Sequence, residues 1–255
     1  MSTFNEYAKF YDLLYQDKDY STEVDYIDGL IKKFSPEANS ILELGCGTGK
    51  HAMLLAQKGY NIHGVDISSE MLRQAELEIE KHKMSDRINL SHGDIRDIRI
   101  NQKYDVVISL FHVMSYQTMN ADIERAFLTA SHHLKPNGIF IFDCWYGPGV
   151  LTDPPVTRVK RYSNDQFGIT RIAEPEMNTI TNTVTVKYEL FVKEFKSNRI
   201  QEIQESHVMR YFFKQEIELL FEKSGLNYTK LFAFLKKIPP TTNDWNSLFI
   251  GTKKG

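Results

Sequence analysis

Along the first 34 residues, apolar side chains recur every three or four positions: Tyr7, Phe10, Tyr11 and Leu14, then Val24, Ile27, Leu30 and Ile31. That spacing predicts helix, with Ser21 and Glu23 placed to open the second one. After Pro36 the pattern changes. Ile41 to Leu44 is a short apolar run entering a glycine loop, and Lys50 to Lys58 carries a helical period stopped at Gly59. The order then repeats. Asn61 to Asp66 reads as a strand, Ser69 as an N-cap with Glu70 just inside, and Met71, Leu72, Ala75 and Ile79 as the buried stripe of a helix. Ile88 to Leu90 and Tyr104 to Leu110 are further strands and Asp122 to Leu134 a helix. Pro136-Asn137-Gly138 is a turn into the strand Ile139 to Phe142. Strands alternating with helices in this way predict an α/β fold: a doubly wound, Rossmann-like, mostly parallel seven-stranded sheet with helices on both faces.

From about Pro148 the period drops to two, as in Thr183 to Leu190, with no comparable helix in between. We expect an inserted antiparallel β subdomain over residues 148–212, of three or four strands. Residues 1–147 and 213–255 then form the main domain with an N-terminal helical cap. Lys214 to Lys223 is its last helix, ended by Gly225, and Tyr228 to Leu235 and Ser247 to Gly251 are its closing strands.

Composition narrows the chemistry. A formal net charge of -2 in 255 residues offers no field to hold a polyanion, so nucleic acid is not expected as a partner. Cys46 and Cys144, with no C-x-x-C partner, suggest neither a disulfide framework nor a metal site, and a reducing cytoplasm fits. Met1 to Glu6 lack a basic segment followed by an apolar one, and no apolar run is long enough to span a membrane. His132-His133 reads as solvated helix surface, since adjacent helical positions point apart and cannot share a metal. An exposed edge of the inserted sheet could pair with a second copy, so a homodimer is possible.

The informative segment is Gly45-Cys46-Gly47-Thr48-Gly49, set between a strand and a helix. Glycines there let the backbone turn sharply and let a ligand lie against it. A dinucleotide fingerprint wants a third glycine where this chain has Lys50, which speaks against an NAD-dependent reductase. Asp66 ends the second strand, where a carboxylate can accept both hydroxyls of a ribose. Asp94, in Gly93-Asp94-Ile95, is placed to accept from an exocyclic adenine amine. Together they form an adenosine grip without a phosphate grip.

Leu42-Glu43-Leu44-Gly45-Cys46-Gly47-Thr48-Gly49, Val65-Asp66-Ile67-Ser68 and Gly93-Asp94 resemble the first three motifs of class I S-adenosylmethionine methyltransferases. The resemblance implies S-adenosylmethionine as cofactor, in a pocket made by Tyr15, Gly45, Cys46, Gly47, Gly49, Asp66, Ile67, Met71, Asp94, Ile95 and Leu110. Within that family, Tyr11-Asp12-Leu13-Leu14-Tyr15, Lys18-Asp19-Tyr20, the inserted sheet and Asp143-Cys144-Trp145-Tyr146 are similar to N-methyltransferases of nucleotide-linked amino sugars. That similarity implies Tyr15 over the cofactor, and an acceptor space supported by the insert and bordered by Tyr11, Trp145 and Tyr146. The chain departs from the pattern in placing His112 after the fourth strand. There it is the best-placed titrating group for a general base toward an amine. The alternatives carried forward are O-methylation of another small molecule and a non-catalytic binding module.

Overall fold

The computed structural model describes residues 7–255, so the reading of Met1 to Glu6 lies outside the described residues. A single-turn 3-10 helix, Tyr7–Phe10, runs into α1 (Tyr11–Leu14). After a break comes α2 (Tyr20–Phe34), followed by β1 (Ser40–Leu44), α3 (Lys50–Gln57), β2 (Asn61–Asp66), α4 (Ser69–Lys81), β3 (Ile88–His92) and β4 (Tyr104–Ser109). Next are α5 (Asn120–His133), β5 (Leu134–Tyr146) and α6 (Gly147–Thr152). The antiparallel strands β6 (Arg158–Ser163), β7 (Phe167–Asn178), β8 (Thr183–Glu194) and β9 (Ile200–Phe212) follow, and α7 (Lys214–Lys223), β10 (Leu226–Ala233) and β11 (Asn246–Lys253) close the chain.

Seven strands lie in the order β3-β2-β1-β4-β5-β11-β10, the first five parallel, β11 antiparallel to both its neighbours and β10 running in the direction of the first five. The four strands of the second sheet continue from it. Trp145 and Tyr146, beyond the end of β4, pair in parallel with Tyr211 and Phe212 of β9, giving eleven connected strands. The long β5 is therefore the beam from which residues 158–212 hang over the carboxyl ends of the parallel strands. That end of an open α/β sheet is where such folds hold ligands.

Local chemistry moves some element ends. Asp19, not Ser21, caps α2 by accepting from the Thr22 amide at 2.9 Å. Ser68, not Ser69, caps α4 by accepting from Met71. Pro136-Asn137-Gly138 lies within β5 as an irregularity with Asn137 at φ 62°. His133 overturns the expectation for the histidine pair: it is fully buried, with Nδ1 2.8 Å from the Thr129 carbonyl and Nε2 accepting from the Ile100 amide at 2.9 Å. A carbonyl cannot donate, so Nδ1 carries the proton and the ring is neutral. Burial holds its pKa below the ordinary value.

Both faces of the main sheet are filled. One side packs Val24, Ile27, Leu30 and Ile31 of α2 with Ala52 and Leu55 of α3. The other centres on five phenylalanines, 127, 140, 142, 221 and 249, with Phe142 stacked on Phe249 at 5.5 Å. Truncating Phe142, which touches four rings and is wholly buried, should cost about 3–5 kcal/mol, read as a lower urea midpoint at unchanged slope. A third cluster joins Tyr7, Phe10 and Leu14 to Tyr162, Ile169, Leu190, Val192 and Ile203. The N-terminal segment thus packs on the second sheet and roofs the space between the two sheets.

Candidate active site

At the carboxyl end of β1 the chain turns through Gly45, Gly47 and Gly49, all with positive φ (80°, 53° and 74°). The Gly45 and Cys46 amides both donate to the Val65 carbonyl, fixing the loop against β2. A Cβ on Gly45 would lie 2.6 Å from Val113, whereas one on Gly47 would meet nothing within 4 Å: the loop leaves a cradle that a side chain would fill. Gly49 serves the fold instead. It precedes α3 in the left-handed conformation and packs against Ala75 of α4.

The loop floors a cavity of about 1120 Å³. That exceeds the ~300–1,000 Å³ typical of a site for one small ligand. Its lining includes Tyr11, Tyr15, Gly45, Cys46, Gly47, Asp66, Ile67, Met71, Asp94, Ile95, Leu110, His112 and Trp145. Gly49 and Tyr146 are not among its lining residues. For Tyr146 the reason is strand geometry: successive side chains of β5 point to opposite faces, and Trp145 takes the inward one.

The two acids foreseen as an adenosine grip are already engaged by the protein. Asp66 accepts from the Gly47 and Ser68 amides, each at 2.8 Å, and burial raises its pKa although those amides act the other way. Each oxygen keeps further lone pairs for a ligand. Burial also works against ionisation of Asp94, but the Arg96 side chain and amide outweigh it and hold that carboxyl below the usual range.

On the opposite wall, Phe111 and His112 follow β4 with φ of 63° each, a conformation that L-residues rarely adopt. What holds it is Asp143, fully buried on β5, whose two oxygens lie 3.2 Å from the His112 amide. The same carboxylate is 2.6 Å from His112 Nδ1, a close contact without hydrogen-bond alignment. Burial opposes the charge on Asp143, yet its contacts with His112 keep it ionised, below the usual range. His112 is thus a cavity-wall imidazole backed by a buried carboxylate.

The N-terminal segment closes the top. Tyr11 and Tyr15 rings sit 4.7 Å apart and Tyr15 meets Phe111 edge-on at 5.1 Å. Asp12 ties the segment to the loop, accepting from Thr48 at 3.0 Å and pairing with Lys50 at 2.8 Å. Lys50, the residue that breaks a dinucleotide fingerprint, thus has an internal partner.

Sequence reasoning did not foresee several wall residues: Phe111, Tyr116, Tyr188, Met209, Trp245 and Asn246. Those on β9 and β11 are distant in sequence and carry no motif. Asp143 was legible, as an acid near the carboxyl end of a strand, but nothing local tied it to His112. Among the described residues no cluster of His, Cys, Asp or Glu has metal-holding geometry.

Residues 41–138 match the family model described as a methyltransferase domain. Over 225 residues the chain is 27% identical to the dTDP-3-amino-3,4,6-trideoxy-alpha-D-glucopyranose N,N-dimethyltransferase of Streptomyces venezuelae, covering 87% of this chain and 90% of that protein. Residues 41–138 thus carry a methyltransferase domain, and the chain is an S-adenosylmethionine-dependent methyltransferase. A second relative of this methyltransferase is the dTDP-3-amino-3,6-dideoxy-alpha-D-glucopyranose N,N-dimethyltransferase of Streptomyces fradiae, 26% identical over 87% of this chain and 84% of the relative. Among solved structures, an S-adenosylmethionine-dependent methyltransferase from Clostridium acetobutylicum superposes with a TM-score of 0.84 at 24% identity, over 100% of both chains. A sugar N-methyltransferase from a Streptoalloteichus species gives 0.81 at 19% identity, over 96% of this chain and 93% of that one. At those identities the structures speak for the fold. The open cradle at Gly47 and the lone pairs left on Asp66 fit the cofactor of this methyltransferase.

Proposed function

We propose that the methyl acceptor is the amino group of a nucleotide-linked amino sugar. The observation that carries the reading is the His112–Asp143 pair on the wall of a cavity larger than one ligand needs. An amine arrives at neutral pH largely as an ammonium ion, and an imidazole is matched in basicity to remove that proton. It is a poor match for an alcohol, so the pair favours N- over O-methylation. Three relatives that align over 87–97% of this chain are N,N-dimethyltransferases of dTDP-linked amino sugars.

In this reading S-adenosylmethionine, when bound, supplies an electrophilic methyl group on a sulfonium leaving group. Asp66 takes the ribose hydroxyls, Asp94 the exocyclic amine, and Ile67, Met71, Ile95 and Leu110 the faces of the adenine. Tyr15 covers the cofactor, and Tyr11 and Trp145 border the acceptor. Asp143 orients His112, which holds the acceptor's proton, while the N-terminal segment excludes water. Because methyl transfer is an in-line displacement, positioning supplies most of the rate. Residues 148–212 act as an acceptor-holding subdomain carried by the methyltransferase domain of 1–147 and 213–255. The two cysteines, free and buried, suit a reducing cytoplasm. No helix among the described residues is long and apolar enough to cross a membrane.

The test is mass spectrometry of amino and plain nucleotide sugars incubated with the protein and methyl-labelled S-adenosylmethionine. Label on the amino sugars alone is the expected result. Label on hydroxyls, or on none of the panel while the cofactor binds, would remove the sugar amine as acceptor.

A further inference from the structure

Directly beneath the glycine loop, the side chain of Glu43 is shut away from water, 1% exposed. Its Oε2 has no hydrogen-bond partner, a costly arrangement for a carboxylate and a tolerable one for a neutral acid. Burial, and after it the neighbouring Asp66, push its pKa up to about 8. The groups that face it come from three directions. Asp66 stands at the end of β2, Cys46 in the loop above has a thiol that burial keeps protonated, and His51 of α3 has its Nδ1 3.9 Å from Oε1. None supplies a hydrogen bond to the orphan oxygen.

His51 connects this acid to the cavity, which it lines. Its Nε2 lies 2.8 Å from Glu23 Oε2, and the other oxygen of Glu23 pairs with Lys18. Lys18 in turn sits over the ring of Phe111 at 4.2 Å, on the wall that carries His112. Glu23 already has two cationic or potentially cationic partners, whereas Glu43 has only the distant edge of His51. Of the acids beneath the loop, Glu43 is therefore the one whose charge is left uncompensated.

We infer that Glu43 is a conditional counter-charge for the cofactor, holding its proton while the loop is empty and releasing it to solvent when a net positive ligand is placed over Gly45 to Gly49. The proton balance is simple: one carboxyl proton leaves and one carboxylate remains against the added sulfonium charge. The low dielectric beneath the loop makes that charge count. The demethylated product lacks the sulfonium, so it evokes less ionisation. Glu43 thereby favours the cofactor over its product. The inference rests on the cofactor reading and is independent of which acceptor is used.

The sign follows from linkage. Below about pH 8 binding must expel the proton, so affinity rises with pH and levels off once Glu43 is ionised in the free protein. The Glu43-dependent part of the affinity should rise ~8-fold between about pH 6.5 and 7.5.

Calorimetry of the full chain with S-adenosylmethionine, in buffers of differing ionisation enthalpy, counts the protons released. At pH 7 we expect about one more proton from the wild type than from Glu43→Gln, with a smaller difference for S-adenosylhomocysteine. Equal counts in the two proteins, or equal differences for both ligands, would overturn the inference. Binding of neither ligand by the wild type would defeat the cofactor reading as well, which separates the two failures. If Glu43→Gln does not fold, infrared difference spectroscopy of the wild type with isotope-labelled glutamate replaces it. The carbonyl band of a protonated glutamate should vanish on adding the cofactor, and its persistence would refute the inference.

Discussion

Asp143→Asn is expected to lower kcat about 100-fold while leaving the affinity for S-adenosylmethionine nearly unchanged. The carboxylate both orients the His112 ring and holds the left-handed backbone at His112 through contacts to its amide. Asparagine keeps the volume and one acceptor but loses the charge, so the imidazole is no longer stabilised as it takes a proton. General-base contributions of this kind are worth ~10²–10⁴ in rate. His112→Ala should fall by a similar factor, and the double variant by little more than either single one, because the two groups act as a unit. The limb of the kcat/KM profile that reports deprotonation of the base should disappear in both. Full activity of His112→Ala across the pH range would dismiss the imidazole as base and leave positioning alone.

Asp66→Ala should weaken S-adenosylmethionine binding at least ~100-fold, measured by calorimetry, with the fold retained. Two effects add. The carboxylate would no longer accept the ribose hydroxyls, and the Gly47 and Ser68 amides would lose their common acceptor, so the cradle would lose its shape. Hydrogen bonds to a charged group contribute ~1.5–3 kcal/mol each, and about 3 kcal/mol corresponds to two orders of magnitude in affinity. Asp66→Asn separates these effects, since it keeps an acceptor for one amide. We expect an intermediate loss. An affinity within threefold of wild type for Asp66→Ala would show that Asp66 does not hold the ribose.

The amino-acid sequence by itself determined much of this. The alternation of apolar strands and amphipathic helices up to Phe142 carries the parallel sheet, because each element must bury its own face and the periods of 2 and 3.6 are written locally. The glycine loop and the acids that follow β2 and β3 were legible for the same reason: each is a feature of a few contiguous residues, with a backbone conformation only glycine takes readily. The change of period after Pro148 marks the second sheet.

What only the tertiary structure decided involves residues that meet from distant parts of the chain. His133 is a ligand of the Ile100 amide, not surface, because the loop after Asp94 folds back over α5. Tyr146 faces away from the cavity that Trp145 lines because of the pleat of β5. The pairing of His112 with Asp143 depends on β4 and β5 lying side by side in a given register, with Ser109 opposite Phe142. Likewise the unpartnered carboxyl oxygen of Glu43 follows from a burial that no local pattern encodes. Periodicity specifies which face of an element is apolar. It does not specify which buried polar groups are left without a partner, and in this methyltransferase two of them, on His112 and Asn246, line the cavity.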